Sequence, residues 1–442
     1  MSTPLDAAGF IAQCADATAE RAGPLLAAYE QALAAVVAPA EQGPHHLALR
    51  QAAIPLVNLL VKCGLLVPCL QLVRKVRALM PVPELQRIHG ELARHVSGQL
   101  ARQSAEQVHQ LTGQFMSVVL RPVRAQDHAL TADAPMPKGL VIVMQGPLLQ
   151  DNQFTLDTLR LYARMYPGVP LVLSTWEGES VAALHEAQIP GLHIVTSARP
   201  ANPGPVNVNM QITSARAGVV HAVQALGATH VFKTRTDMRL YNPNAMLDMM
   251  SLLAHFPAGP ATGQQARLVL ISDVVRYLHH AVPDKHMLGT AADMLAFWGA
   301  PLDERPSDAL PAQPSIREHA RQMLAEQYLL HHYLQKLNWP MRDTLADHFQ
   351  VLADLFVVYD RSAADVYWPK YNQHLEYRFK HHGHTQMLEE FGFNDWLRLQ
   401  GRYRPVMPEG ILDLPQGMAL DGLLAQAVAD SAEADQAAEL GA

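Results

Sequence analysis

Between residues 139 and 275, four short apolar segments each end in a cluster of polar or small residues. The clusters are Gln145-Gly146-Pro147, Ser174-Thr175-Trp176-Glu177, Lys233-Thr234-Arg235-Thr236-Asp237 and Ser272-Asp273. A single cluster of this kind is typical of a helix cap or a turn. If the apolar segments are parallel strands of one sheet, their ends meet at one edge, where open α/β sheets bind ligands. The four clusters together therefore predict one polar crevice.

The third cluster has the composition of a site for phosphate or metal. Asp237 stands just beyond an apolar segment and is flanked by Lys233, Arg235 and Arg239. A carboxylate there could hold Mg²⁺ or Mn²⁺, which prefer oxygen ligands and bridge phosphate oxygens. The cations could neutralise a diphosphate leaving group, since opposite charges about 4 Å apart attract by roughly 4 kcal/mol at an effective dielectric constant of 20, before desolvation is subtracted. The alternative is an Arg–Asp salt bridge that fixes the loop.

The alternation of apolar segments and amphipathic helices predicts a parallel α/β sheet covered on both faces. Predicted strands cover residues 139–144, 170–174, 192–196, 229–233, 268–275 and 356–359, and predicted helices cover residues 155–165, 209–226 and 316–337. The chain has no Gly-x-x-x-x-Gly-Lys-Ser/Thr and no Gly-x-Ser-x-Gly sequence, and no Gly-x-Gly-x-x-Gly follows its first strand. These absences argue against a P-loop kinase, a nucleophile elbow and a dinucleotide-binding Rossmann domain.

The N-terminal quarter of the chain differs from the rest in amino-acid composition. Ala and Leu dominate residues 4 to about 120, which predicts an all-helical domain whose helices end at Gly and Pro, including Pro24, Pro55 and Gly64. The most apolar stretch, residues 54–73, is interrupted by Pro, Asn, Lys and Gln, so we expect a buried helical hairpin there rather than a membrane span. The segments that begin at Gly23 and Gly64 are similar to the second helix of a tetratricopeptide-type repeat, but they start 41 positions apart, against about 34 in such repeats. A generic helical bundle is the alternative.

Five regions are expected along the chain. They are an all-helical domain at 1–122, a polar linker at 123–138, an α/β domain at 139–375, a C-terminal helical extension at 376–415 and an acidic, Ala-rich tail at 416–442. The tail is expected to be a frayed helix or disordered.

Composition excludes several classes of protein. The 442 residues are 49% hydrophobic and 17% charged, so the chain is not intrinsically disordered. A net charge of −7 and a pI near 6.3 argue against a nucleic-acid partner. Three cysteines make neither a disulfide framework nor a zinc site, and residues 1–10 lack the basic and apolar regions of an export signal. We therefore expect a cytoplasmic protein whose membrane contact, if any, is peripheral, through the helical domain or the basic stretch 378–384.

Seven motifs follow one another between residues 140 and 371. They are Val143-Met144-Gln145-Gly146-Pro147, Leu173-Ser174-Thr175-Trp176-Glu177-Gly178, Asn207-Val208-Asn209-Met210-Gln211-Ile212, Lys233-Thr234-Arg235-Thr236-Asp237, Ile271-Ser272-Asp273, Ala325-Glu326-Gln327-Tyr328 and Pro369-Lys370-Tyr371. In order and spacing this region resembles the WavE-type lipopolysaccharide synthesis family, glycosyltransferases of GT-A type. One departure is Met210, where the family pattern leads us to expect Arg; Arg216 or Arg235 would then contact the phosphate.

The resemblance implies a GT-A-like domain that takes a nucleotide sugar as donor and a surface glycan, lipopolysaccharide or capsule, as acceptor. It implies that the loops at Gln145, Gly146 and Pro147 and at Ser174, Thr175, Trp176 and Glu177 hold the base and ribose. Trp176 would stack on the base, or else belong to the core. Phosphate binding is implied for Lys233 and for Asn207, Asn209 and Gln211, which precede a helix. A plain helix cap is the alternative for Asn209.

The resemblance also implies the catalytic groups. Asp237 stands where such folds have Asp-x-Asp, and Arg235 takes the place of the other Asp, so a Mg²⁺ or Mn²⁺ ion on Asp237 could be replaced in part by Arg and Lys. Asp273 and Glu326 are the candidates for the general base that an inverting transferase needs on the acceptor hydroxyl. A structural carboxylate is the alternative for Glu326.

Two other functions remain open at this point. One is a nucleotidyltransferase that uses the same crevice. The other is a catalytically inactive binding or scaffold member of a glycan assembly complex, with protein partners on the helical domain.

The 22 histidines include adjacent pairs at 279–280 and 331–332 and a cluster at 381–384. Adjacent histidines on a helix do not face one ligand, so we expect surface histidines rather than a metal site.

Overall fold

The structure is a computed structural model that describes residues 5–34, 44–79, 83–116, 120–122, 131–259, 262–311, 314–369 and 391–400. The predicted tail, most of the predicted C-terminal extension, Lys370, Tyr371 and the histidines at 381–384 lie outside these ranges. The chain divides into two compact units, residues 1–122 and 123–442, each with its own apolar core.

The N-terminal unit is all-helical, as predicted. Its helices are α1 (Ala7–Asp16), α2 (Ala19–Ala34), α3 (Pro44–Lys62), α4 (Leu66–Leu79) and α5 (Pro83–Thr112). The apolar stretch 54–73 is a helical hairpin formed by the end of α3 and the start of α4, and Gly64 turns between them with φ +71°. Tyr29, Leu56, Leu60 and Leu72 are fully buried in this core. Within the described residues, no helix is long and apolar enough to cross a membrane.

Two helix boundaries predicted in this unit are wrong. Pro24 lies inside α2 and Pro55 inside α3, so neither residue ends a helix. A proline in a helix removes one hydrogen bond of the ladder, a loss that burial of the apolar faces of α2 and α3 offsets. Gly23 also lies within α2, whereas Gly64 precedes α4. The two segments thus differ at the glycine they share, and their similarity to a tetratricopeptide repeat stays a prediction.

The second unit is built on a mixed, mostly parallel sheet of seven strands in the order β3-β2-β1-β4-β7-β6-β8. The strands are β1 (Leu140–Gln145), β2 (Leu171–Trp176), β3 (Leu192–Ser197), β4 (His230–Arg235), β6 (Leu268–Ile271), β7 (Met287–Thr290) and β8 (Phe356–Tyr359). Two further strands, β5 (Arg239–Leu240) and β9 (Val366–Tyr367), pair antiparallel in a separate ribbon. The α/β class is thereby confirmed, and the GT-A type stays a prediction.

The expectation of an all-parallel sheet is wrong at β7, which runs antiparallel to both β4 and β6. Its four residues contain Gly289, a weak strand former, which is why the sequence pattern misses it. Gly289 packs closely there, since a Cβ would lie 2.3 Å from Leu268 Cδ2 and that side chain would have to move. The predicted strand 268–275 is also too long, since β6 ends at Ile271.

Helices cover both faces of the sheet. They are α6 (Phe154–Met165), α7 (Ala182–Glu186), α8 (Val208–Gln224), α9 (Ala245–His255), α10 (Ala291–Phe297), α11 (Ile316–His319), α12 (Ala325–Lys336), α13 (Leu345–Leu355), α14 (Arg361–Ala364) and α15 (Phe393–Gln400). The helix predicted at 316–337 is therefore two helices. The helix α8 packs closely on the sheet at Gly218, where a Cβ would lie 2.5 Å from Val143 Cγ1 and 3.0 Å from Ser174 Cβ.

Candidate functional site

The strand order brings the predicted clusters to one edge of the sheet. Gln145, at the end of β1, is in register with Ser174 of β2 on one side and Arg235 of β4 on the other. Because β7 is antiparallel, its first residue, Met287, lies beside Lys233 near the end of β4. The loop from 272 to 286 therefore begins and ends at this same edge, between β6 and β7.

At the end of β4, Arg235 and Asp237 form a bidentate ion pair. Arg235 Nε donates to Asp237 Oδ1 at 2.8 Å, and Arg235 Nη2 donates to Oδ2 at 2.9 Å. Trp368 Nε1 also donates to Oδ2, at 3.2 Å. The Arg–Asp salt bridge weighed as an alternative is thus present, and it lies in the crevice with both side chains partly exposed.

A second ion-paired group lies next to the first. Asp273 accepts from Lys285 Nζ and, at 3.4 Å, from Arg361 Nη1. The Nζ of Lys285 is 4.6 Å from the centre of the Trp368 ring, and the guanidinium carbon of Arg235 is 5.7 Å from it. The buried indole of Trp368 therefore joins the two groups, since a cation within about 6 Å of a ring is attracted to its face.

Glu326 belongs to the same site. It is the second residue of α12, and its side chain is partly buried. Burial, followed by the nearby carboxylates of Asp284 and Asp273, raises the pKa of Glu326 to about 7, while Lys285 acts in the opposite direction. The structure thus brings together four of the predicted catalytic residues, namely Arg235, Asp237, Asp273 and Glu326.

Lys233 does not reach the crevice, contrary to its predicted contact with the donor. Its side chain is fully buried, its Nζ donates to the backbone carbonyl of Asp284, and the ammonium lies 4.4 Å from the centre of the Trp298 ring. Burial lowers the pKa of Lys233 to about 7, against the opposing effect of Asp284. In this position Lys233 anchors the loop that carries Asp284 and Lys285.

The side chains at the ends of β1 and β2 are also turned inward. Ser214 Oγ donates to Gln145 Oε1 at 2.6 Å, and Ser174 Oγ donates to the Ser214 carbonyl at 2.7 Å. Thr175 is fully buried, so the side chains of Gln145, Ser174 and Thr175 support the edge from within. Gly146 has φ +125°, and a Cβ there would lie 2.8 Å from Thr236 Oγ1.

The loop around Gly146 is tied to the end of β4. Thr236 Oγ1 donates to the Pro147 carbonyl at 2.6 Å. Glu177, after β2, is exposed. Trp176 is only 1% exposed and lies under the guanidinium of Arg199 at 5.3 Å. This places Trp176 in the core, the alternative to base stacking, because no open ring face remains for a base.

The predicted phosphate-binding residues Asn207, Asn209 and Gln211 lie at the start of α8 and are divided between surface and interior. Asn207 is exposed at the N-cap position of α8, where its side chain makes no capping bond. Asn209 is buried: its Nδ2 donates to the carbonyls of Asn202 and Asp303, and its Oδ1 accepts from the Asp303 amide at 2.6 Å. Asn209 is therefore neither an N-cap nor exposed, and it joins two loops. Gln211 is partly buried in the first turn of the helix.

The divalent cation implied by the resemblance does not fit Asp237 as the structure places it. Both carboxylate oxygens are engaged by the guanidinium of Arg235, so a metal ion would have to displace a paired cation. Among the described residues, no group of three or more His, Cys, Asp or Glu side chains could hold a metal ion.

The expectation of surface histidines is wrong for the pair His279 and His280, which are both buried, as are His286 and His348. His279 Nδ1 is 2.6 Å from Asp343 Oδ1, and His280 Nε2 is 2.8 Å from Asp347 Oδ2. These pairs tie the loop between β6 and β7 to residues at the start of α13.

Sequence reasoning missed Lys285, Arg361 and the role of Trp368. Arg361 directly follows Asp360 at the end of β8, a strand that the sequence predicts. Looking for polar residues just after β8, as was done after the other strands, would have found Arg361. Lys285 precedes the one antiparallel strand of the large sheet, so no rule about the ends of parallel strands applies to it.

Comparison with known families identifies the second unit. A sequence model described as WavE lipopolysaccharide synthesis matches residues 140–404. The match covers more than half of the chain and confirms the resemblance drawn from its motifs. The search of curated proteins returned no match.

Proposed function

The chain belongs to the WavE lipopolysaccharide synthesis family, and we propose that it is a glycosyltransferase that moves a sugar from a nucleotide sugar to a lipopolysaccharide or capsule acceptor. The observation that carries the proposal is the site at the carboxyl edge of the sheet. There, Arg235 and Lys285 lie against the ring of Trp368, and Lys285 acts electrostatically on Glu326, a carboxyl whose pKa is raised to about 7 by burial and by nearby carboxylates. Such a site combines cations for a phosphate leaving group with a base for a hydroxyl nucleophile.

We assign the general base to Glu326 rather than to Asp273. Both oxygens of Asp273 are paired, one with Lys285 and the other with Arg361. A base works best when its pKa is near the working pH, and Glu326 meets that condition. In the transfer step, the acceptor oxygen attacks the anomeric carbon, the bond from that carbon to the diphosphate oxygen breaks, and the acceptor proton passes to Glu326.

Asp237 orients Arg235 in this scheme. The two parallel hydrogen bonds between them fix the plane of the guanidinium at the end of β4. We expect Asp237→Asn to abolish detectable transfer, because the neutral amide can accept at only one of its two positions and no longer attracts the guanidinium. The matched control is Asp157→Asn on α6, where Asp157, buried to a similar degree as Asp237, faces Arg160 at 3.9 Å.

The assay is release of nucleoside diphosphate from a panel of nucleotide sugars, with and without lipopolysaccharide as acceptor. We expect acceptor-dependent release by the wild type and by Asp157→Asn, and none by Asp237→Asn at unchanged thermal stability. Release of pyrophosphate from nucleoside triphosphates would instead identify a nucleotidyltransferase. Binding of nucleotide or glycan without turnover would identify an inactive binding or scaffold protein.

The proposal includes the GT-A type for the α/β unit and a cytoplasmic location, where nucleotide sugars are made and thiols stay reduced. The three cysteines, Cys14, Cys63 and Cys69, are free thiols. This state is the usual one in a reducing compartment.

A further inference from the structure

We propose that Arg235 and Lys285, held against Trp368, bind the diphosphate of the donor and take up its leaving charge in place of a divalent cation. The proposal rests on the proposed function, because it names how that transferase handles its leaving group. It replaces the metal ion that the family resemblance implies with two side-chain cations, because of the way charged groups are arranged around Asp237.

The first observation is that a guanidinium pairs with both carboxylate oxygens of Asp237. Arg235 covers both carboxylate oxygens at 2.8 and 2.9 Å, and Trp368 donates to Oδ2 as well. In the GT-A pattern that the resemblance implies, Arg235 stands at the position of the first Asp of an Asp-x-Asp pair. One carboxylate of such a pair is therefore replaced by a cation, and the other is neutralised by it.

The second observation is that a second cation reaches the same ring from the loop between β6 and β7. Lys285 Nζ is 4.6 Å from the centre of the Trp368 ring, and the guanidinium carbon of Arg235 is 5.7 Å from it. The ring is 5% exposed, whereas the side chains of Arg235 and Lys285 are each 20% exposed. Each cation is paired with a carboxylate, Arg235 with Asp237 and Lys285 with Asp273, yet part of each side chain stays exposed while the indole packs against both.

This arrangement suits a diphosphate. Arg presents a planar fork that matches two phosphate oxygens, and Lys adds a compact point charge. When the bond from the anomeric carbon to the diphosphate breaks, its electron pair stays on the phosphate oxygen. That oxygen then accepts hydrogen bonds from Arg235 and Lys285, and the acceptor proton goes to a carboxylate, so charge and protons balance without a metal ion. Trp368 acts here as a positioning residue.

The test is isothermal titration of the full chain with UDP, GDP, ADP and dTDP and with the matching monophosphates. Each titration is done in excess EDTA and again with Mn²⁺. We expect at least one nucleoside diphosphate to bind in EDTA, with an affinity that Mn²⁺ changes by less than about threefold. Because a hydrogen bond to a charged group is lost in each variant, Arg235→Gln and Lys285→Met should each weaken that nucleoside diphosphate about tenfold or more.

Two controls separate a phosphate contact from a structural effect. The matching monophosphate should lose less affinity than the diphosphate in both variants, since only one phosphate contacts the site. Arg160→Gln on α6, which breaks a surface Arg–Asp pair of the same unit, should leave both affinities unchanged. Trp368→Leu should weaken the diphosphate, with the melting temperature reporting any loss of folding.

A failure of this inference can be distinguished from a failure of the proposed function. Binding that requires Mn²⁺ and is lost in EDTA would overturn this inference and leave the proposed transferase standing. Equal loss of monophosphate and diphosphate, or no loss in Arg235→Gln and Lys285→Met, would also overturn the inference. Absence of binding by every nucleotide and nucleotide sugar under both conditions would overturn the proposed function together with it.

Discussion

The pH dependence of transfer tests the assignment of Glu326 as the general base. The pKa of this carboxyl is raised to about 7, so its ionised fraction falls with a unit slope below that pH. We expect kcat/KM to reach a plateau above about pH 8, to be about half of it at about pH 7, roughly tenfold lower at about pH 6 and roughly a hundredfold lower at about pH 5. Glu326→Gln should remove this limb and lower the plateau by about 10²- to 10⁴-fold, the usual contribution of a positioned base.

Two variants sharpen the test. Asp284 is the largest electrostatic cause of the raised pKa after burial, so Asp284→Asn should shift the acid limb to lower pH without abolishing it. Glu186→Gln, at an exposed glutamate at the end of α7, serves as the matched control and should keep the wild-type profile. The assay is initial-rate release of nucleoside diphosphate at subsaturating donor across the pH range, with circular dichroism at each pH.

The reasoning about Glu326 would be refuted by two results. In the first, Glu326→Gln retains the acid limb at the wild-type position. In the second, Asp284→Asn moves that limb to higher pH, which would mean that the titrating group is not a carboxyl close to Asp284.

The remaining predictions concern stability. Gly218→Ala should lower the free energy of unfolding by about 1–3 kcal/mol, because the added Cβ would contact Val143 and Ser174. Gly90→Ala in α5 should instead raise it by up to about 1 kcal/mol, because the space around Gly90 is open and Ala favours a helix. Urea denaturation measures the free energy of unfolding of both variants. Burial lowers the pKa of His348 to about 3 and that of His331 to about 4, so unfolding takes up protons below the unfolded value of about 6.5. The contribution of these two histidines to the free energy of unfolding should therefore be constant above about pH 6.5 and fall below it by up to about 1.4 kcal/mol per pH unit for each histidine. Urea curves of the wild type and of His331→Gln at about pH 7.5 and about pH 5 measure this contribution. The variant, which has lost one of the two groups, should lose less stability between these pH values, and an equal or greater loss would contradict the prediction.

The strands of the sheet follow from local sequence wherever they are apolar and parallel. β1, β2, β3, β4 and β8 all lie where continuous apolar runs predict them. A strand buried on both faces needs apolar residues at every position, and this signal is strong even in one sequence. β7 lacks it because it is short and contains Gly289, which packs closely against Leu268, a contact that arises only in the folded packing.

The candidate site was predictable in position but not in detail. Arg235, Asp237 and Asp273 can be found from the sequence, because polar residues at the end of a buried parallel strand lie at the carboxyl edge of the sheet. Their position along the chain does not tell which side chains face the crevice. Lys233 and Trp176 lie on their strands with their side chains inside, because the alternation of faces and the surrounding helices decide direction.

Contacts between segments far apart in the chain could not be predicted from the sequence. Trp368 meets Asp237 across 131 positions, and Arg361 meets Asp273 across 88 positions. Such pairs depend on how β8 and β9 are placed relative to β4 and β6. No local pattern encodes that placement.

The central claim, sugar transfer at the carboxyl edge of the sheet, is tested most directly by the mass of the acceptor. Lipopolysaccharide would be incubated with a nucleotide sugar and either the wild type or Asp237→Asn, and then analysed by mass spectrometry. We predict that the wild type adds the mass of one sugar residue to the acceptor and that Asp237→Asn adds none. An acceptor whose mass stays unchanged with every nucleotide sugar, or grows equally with Asp237→Asn, would contradict the account.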